Sequence, residues 1–332
     1  MKLLKLMIFI FLVITSFGLN AQETATPGNL GEEQEDFRIA RLEYDIRLKF
    51  PVNVTLGYRM DEETEYKRMY EDSSSYSFKR VYTYFFHIIA KQSPKDGMQK
   101  VEVFIDSLTY SFDDGKRKVK YHNSQHEVAP LNRLDFLKTF VPNSKQFSMY
   151  YDYYGDVVKI DGDMLEQSRV EITDPVQGII NNPRLSEFYL NRMSKADLAH
   201  IVDLGKKLLP EKAAKKDSIW KTDFDFDLNY ETFSTLADTK FTKLISNHYY
   251  IEAVADSMIM KNKKYMVEDL KEEAMADESF ASGKISLRIS TNGIMKDLTS
   301  QFVVKTKAHI KNTPFTETIK TQTNWTQTGM WR

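Results

Sequence analysis

The chain has 332 residues, and its 46 Lys and Arg almost balance its 47 Asp and Glu. Near-neutral charge of mixed sign excludes the basic footprint of a nucleic-acid-binding protein. Cysteine is absent, which excludes thiol nucleophiles, thiolate metal sites, disulfide scaffolds and a lipid-anchoring cysteine.

Lys2 and Lys5 precede an unbroken apolar run from Leu6 to Ile14, and Asn20-Ala21 leads out into Gln22. A short positive end, an apolar stretch and a small-residue exit predict a signal peptide over 1–21. The run is too short for a membrane-spanning helix, which needs about 20 apolar residues. Residues 22–36 hold Pro27, Gly28, Gly31 and five acidic side chains. With little to bury, they read as a flexible leader.

Residues 37–162 read as a first β-rich half. From Arg41 to Phe50 apolar and charged residues alternate without a break, the period of a strand with one dry and one wet face. One-sided burial points to an antiparallel sheet. A meander follows: strands over Arg80 to Lys91, Val101 to Phe112 and Lys116 to Tyr121, turned at Pro94–Gly97 and Asp113–Gly115. Such tight turns favour glycine because they require positive φ. A hairpin over Gln146 to Tyr153 and Val157 to Ile160 closes this half.

Over 163–212 the period changes. Ser194 and Asp197 form a capping box. Leu198, Ile201, Val202, Gly205, Leu208 and Leu209 make an apolar stripe at helical spacing, and Pro210 lies just past its end. This predicts a helical segment packed on the sheet. Residues 213–332 read as a second β-rich half. It has charge alternation over Asp223–Leu228, extended stretches at His248–Met260 and Lys284–Ser290, and a turn at Asn292-Gly293. Long strands then run over Ile294–Ile310 and Phe315–Trp325. Residues 265–279 fit either a weak helix or a loop.

The common catalytic spacings are missing: no Gly-x-Ser-x-Gly, no phosphate-binding glycine loop, no dinucleotide fingerprint and no His-Glu-x-x-His. No catalytic residue, metal site or cofactor is therefore assigned. His122 and His126, with Glu127, read as a loop rather than a metal site. Asp223, Asp225 and Asp227 lack the glycine and glutamate of a calcium loop and read as the wet face of a strand. Aromatic residues carry more information. Tyr82, Tyr84 and Phe86 share a strand face, and with Phe104, Tyr151 and Leu198 they are the expected lining of a cavity between sheet and helix. Tyr and Met suit an apolar pocket.

The stretch Phe147-Ser-Met-Tyr-Tyr-Asp-Tyr-Tyr-Gly-Asp-Val-Val-Lys-Ile-Asp-Gly162, with Leu209-Pro-Glu-Lys-Ala-Ala-Lys-Lys-Asp-Ser-Ile-Trp220 after the helical segment, resembles an uncharacterised family of secreted proteins from Bacteroidota-type bacteria. That family brings no catalytic residues to carry over. The order of elements is also similar to LolA-like lipid and lipoprotein carriers. This second resemblance implies a half-open β-barrel holding acyl chains beneath helices, in a Gram-negative periplasm.

The expected fold is α+β: a curved, half-barrel-like antiparallel sheet roofed by the helical segment, with duplication of the two β-rich halves left open. The expected function is non-enzymatic binding of a hydrophobic or lipid-like ligand in the periplasm or at the outer membrane. The alternatives are a structural or protein-interaction module of the envelope, and a carboxylate-dependent hydrolase with two acids close together in a polar cleft. No nucleic-acid partner and no membrane anchor after signal cleavage are expected. An outer-membrane barrel is disfavoured by the charged strand faces.

Overall fold

The computed structural model describes residues 42–123, 146–162, 200–228, 231–267 and 269–332. The signal-peptide and leader segments, the capping box at Ser194–Asp197, Leu198, His126 and Glu127 lie outside the described residues. Residues 43–332 form one unit.

That unit is built on a single antiparallel sheet of fourteen described strands. β1 (Thr55–Tyr70), β2 (Ser75–Ala90) and β3 (Met98–Asp113) form a meander, and β4 (Lys118–His122) returns on β3. β5 (Gln146–Asp152) also pairs with β3, and β6 (Val157–Asp161) completes that end. The other end holds β7 (Ile219–Leu228), β8 (Glu231–Ile245), β9 (His248–Ala255), β10 (Ile259–Met260) and β11 (Lys264–Val267). Three long strands stand between: β12 (Glu272–Ser290), β13 (Met295–Ile310) and β14 (Thr313–Trp331). β14 joins β1, so the last strand of the chain links the two ends.

The long strands alternate because one face is dry and the other wet. On β14 the side chains of Phe315, Glu317, Ile319, Thr321, Thr323 and Trp325 are buried, while Thr316, Lys320 and Gln322 face water. On β1, Met60, Thr64, Tyr66 and Arg68 are buried, and Arg59, Glu65 and Lys67 are exposed. A lipid-facing barrel shows the opposite pattern, with an apolar outside. No helix among the described residues is long and apolar enough to cross a membrane.

The register stacks the inner side chains into rows that cross the sheet. One row runs Leu287, Leu298, Trp325, Met60, Tyr84, Leu108 from β12 to β3. Four rows further along the strands, the row runs Ser279, Thr306, Glu317, Arg68, Tyr76. The inner face thus passes from aliphatic at one end to aromatic and charged at the other.

The aliphatic end is covered by two segments without regular pairing. Residues 42–50 run across it in extended form. Ile46, Leu48 and Phe50 are buried in the predicted alternation, but the segment is a strap rather than a strand, held by a bridge between Tyr44 and Ala214 and by Lys49 N donating to Gly293 O at 2.8 Å. Tyr44 packs on Phe241 and Tyr249 at one end of the sheet, and Phe50 on Tyr151 at the other. Gln99 fixes the strap by accepting from Phe50 N at 2.9 Å and donating to Phe50 O at 2.7 Å. Residues 200–214 form the second cover. Trp325 Nε1 donates to Ile201 O at 2.8 Å, and the Tyr151 hydroxyl donates to Val202 O.

The expected α+β architecture, with a helical layer over 163–212, is overturned. Within the described part of that segment only residues 200–202 are helical. Lys206 and Lys207 adopt left-handed φ of 49° and 55°, which ends any helix there. Gly205 is pressed against the Gly155 turn, where a continuing helix would not fit. Ile201, Val202, Leu208 and Leu209 are buried as the stripe predicts. Burial against a sheet selects apolar residues whatever the local backbone, so the stripe did not fix the period.

Candidate functional site

The aromatic end of the inner face is shaped by β1, β2 and β3. Because β2 alternates, Tyr76, Phe78, Arg80, Tyr82, Tyr84 and Phe86 point to one side. Tyr82 lies opposite Tyr110, and Tyr66 opposite Phe78. The rings form a ladder of two ring clusters bridged by Arg80. Tyr66 stacks on Phe78 at 4.9 Å, Phe78 meets Phe112 at 5.4 Å, and Tyr82 meets Tyr110 at 5.1 Å and Tyr84 at 5.9 Å. Arg80 lies over the Phe78 and Tyr82 rings. Each such ring pair contributes about 0.5–1.5 kcal/mol beyond burial. Tyr76, Phe78 and Tyr84 remain partly exposed.

Of the residues expected to line a cavity, Tyr82 and Tyr84 belong to this ladder. Phe86 and Tyr151 share the same face but lie in the packed aliphatic end, fully buried against Tyr58 and Phe50. Phe104 is on the opposite face. The register places it against His87, on which it stacks at 4.7 Å. A bulge at Phe85/Phe86 shifts this pairing and decides which residues share a side. Leu198 is outside the described residues.

Next to the ladder lies a buried polar network that apolar patterning does not reveal. Glu317 accepts from the Tyr66 hydroxyl at 2.6 Å and, on its other oxygen, from the Tyr265 hydroxyl. Burial, reinforced by the Glu317 charge, raises both tyrosine hydroxyls far above their usual range. Glu231, brought over from β8, accepts from Thr306 at 3.1 Å, and Thr306 stands opposite Glu317 in the register. Arg68 donates to both oxygens of Asp269, at 3.0 and 2.5 Å, inside a box of Tyr66, Tyr70, Tyr76 and Phe315 rings. The signal was present in the sequence: Glu231 and Glu317 occupy core-phase positions within alternating strands.

The Glu231 and Glu317 side chains are only 1% and 2% exposed, so a substrate cannot reach them as it would the polar cleft of a hydrolase. No group of three or more metal-ligating side chains occurs among the described residues. Asp223 and Asp225 lie on the wet edge of β7, with Asp225 paired to Lys261. His87 is hydrogen-bonded to Asp106 at 2.9 Å on the outer face.

These features define an all-β protein with an amphipathic antiparallel sheet whose inner face is part aliphatic core and part aromatic ladder. No family model and no curated protein matches the sequence. Among solved structures, one described as lipid–protein interactions in lipovitellin aligns with a TM-score of 0.44 at 10% identity. That alignment covers 85% of this chain but only 26% of the lipovitellin chain, so the chain spans about a quarter of it. DynF from the dynemicin biosynthesis pathway of Micromonospora chersina aligns over 85% of this chain and 83% of its own, with a TM-score of 0.23 at 4% identity. Pseudomonas aeruginosa OpdQ covers 83% and 99%, with a TM-score of 0.21 at 6% identity. Likenesses this weak transfer neither a fold nor a ligand.

Proposed function

We propose that this chain is exported after removal of residues 1–21 and binds an apolar or lipid-like ligand in the cell envelope without catalysis. The observation that carries this reading is the aromatic ladder. Tyr76, Phe78 and Tyr84 stay partly exposed on the face that elsewhere forms the core. Rings held rigid by stacking lose little freedom when a ligand covers them, and tyrosines keep a hydroxyl for a polar headgroup. The wet outer face suits a protein dissolved in water. Native mass spectrometry and solvent extraction of protein purified from its own envelope fraction test the reading. A bound amphiphile is expected, reduced several-fold in a Phe78→Ala, Tyr84→Ala double variant that stays folded. Ligand-free protein, or equal loading of the variant, overturns it.

A second reading, an interaction module of the envelope, is favoured by the outer face. Leu236, Val254, Phe280 and Val303 on β8, β9, β12 and β13 are 37–60% exposed there. Cross-linking in cells through those positions would give a discrete partner band if this reading holds. It would leave the protein uncoupled if the ladder is the working surface.

A further inference from the structure

We propose that Glu231 and Glu317 share one proton, carried on Glu231 Oε1, and that this proton latches the β7–β8 hairpin onto the β13–β14 part of the inner face.

The argument begins with the curl of the sheet. β8 and β13 are separated by β9 and β12 in strand order, yet Glu231 on β8 is hydrogen-bonded to Thr306 on β13. Phe226 on β7 stacks on Phe302 of β13 at 4.4 Å. The hairpin therefore folds over the sheet face, and Glu231 is its polar contact there.

The second step is an inventory of donors. Glu317 has both oxygens occupied by tyrosine hydroxyls, as a carboxylate requires. Glu231 Oε2 accepts from Thr306. Glu231 Oε1 is buried and accepts from no donor. A buried carboxylate oxygen without a donor is costly, whereas a protonated one becomes a donor and needs only an acceptor. Thr306, which donates to Oε2, stands directly opposite Glu317 in the β13–β14 register, and this places Glu317 as that acceptor. Both the orphaned oxygen and the close approach of two acids are then explained by one proton.

Among the described residues, no cation acts on Glu231. β1 contributes Tyr66 and Arg68, β11 contributes Tyr265, the turn after β11 contributes Asp269, and β13 contributes Thr306. Arg68 is the cation of this set, and its two end nitrogens are engaged by Asp269. Burial, followed by the Glu317 charge, pushes the Glu231 carboxyl well above its ordinary value.

The sign follows from linkage. Glu231 holds its proton more tightly when the hairpin is docked. The latch is therefore fully formed below the ordinary glutamate value of 4.5 and weakens as pH rises above it. For one proton the undocking equilibrium constant grows about tenfold per pH unit until Glu231 ionises in the docked state.

Infrared spectroscopy of the full chain, uniformly labelled with 13C-glutamate, tests this directly. At neutral pH a protonated-carboxyl stretch that carries the glutamate isotope shift is expected. It should be lost in Glu231→Gln, which keeps the shape and a donor but cannot titrate. Urea unfolding across the same pH range should show wild type losing stability relative to Glu231→Gln as pH rises. Absence of the glutamate band in wild type at neutral pH, or its persistence in the variant, overturns the proposal. If the variant does not fold, the labelled wild-type spectrum still decides.

Discussion

Gly205 sits so close to Gly155 that a Cβ placed on Gly205 would lie 2.4 Å from the Gly155 carbonyl oxygen. The contact is backbone on backbone, with Gly155 itself at a φ of 88°. It seats the 200–214 segment on the β5–β6 turn and lets Val202 reach the Tyr151 hydroxyl. Gly205→Ala must push the two backbones apart. Overpacking of this kind costs about 1–3 kcal/mol. Urea denaturation should show a lower midpoint with an unchanged slope. A loss below about 0.5 kcal/mol, the range of an ordinary surface change, would mean that the segment shifts without resistance.

Asp156 follows that turn, and its carboxyl is pushed up to about 6. Burial is the main cause. Lys207 acts against it, and Asp152, Asp203 and Asp223 add to it. A raised carboxyl favours the folded state while protonated. Its contribution is therefore full below the ordinary value of 3.8 and is lost as pH climbs through about 6. Asp156→Asn should leave thermal stability unchanged in acid and raise it at neutral pH. A variant less stable than wild type at neutral pH would show that the ion pair with Lys207, at 3.8 Å, outweighs burial.

Legibility followed the chemistry of each segment. Turns at Gly97, Gly115, Gly155 and Gly293 were readable because each takes a positive φ between 79° and 88°. Strands with β-branched and aromatic residues, such as Val101–Phe112, were readable from composition. β1 is hard to read because Asp61-Glu-Glu-Thr-Glu65 looks like a solvated run. Its inner positions carry Glu62 and Thr64, so the alternation is polar on polar. The start of β12 failed for the same reason: Glu272-Glu-Ala-Met-Ala276 pairs small buried alanines with acids, a composition that favours helix locally. Cross-strand pairing with β11 and β13 outweighed that preference. Tyr82 and Tyr84 were correctly placed on one face, since side chains two apart on a strand must be. Phe104 was grouped with them because a bulge cannot be read from alternation alone.

Gln99 holds the strap at Phe50 by both main-chain groups. It is 5% exposed, so water cannot replace it. Gln99→Leu preserves volume but leaves a buried N–H and a buried carbonyl without partners, at about 1–3 kcal/mol each. The expected outcome is a loss near the sum, with hydrogen exchange of residues 46–50 accelerated more than that of β14. Equal acceleration throughout the sheet would show that the strap and the sheet unfold as one.

Arg68 combines two functions that lysine cannot reproduce together: a paired contact to Asp269 and a flat cation among four rings. Its side chain is 2% exposed. In Arg68→Lys the ammonium can reach one Asp269 oxygen or the aromatic box, and it loses the donation to the Tyr66 hydroxyl. That hydroxyl in turn donates to Glu317, so the loss extends into the carboxyl pair. Breaking part of a buried charged network while keeping the charge should cost roughly 2 kcal/mol, less than the about 3–5 kcal/mol of deleting the partner outright. Arg68→Met measures the larger figure. The difference between the two variants separates geometry from charge. If lysine restores wild-type stability, the charge alone holds Asp269, and the flat shape of the guanidinium beside Tyr70, Tyr76 and Phe315 contributes nothing measurable.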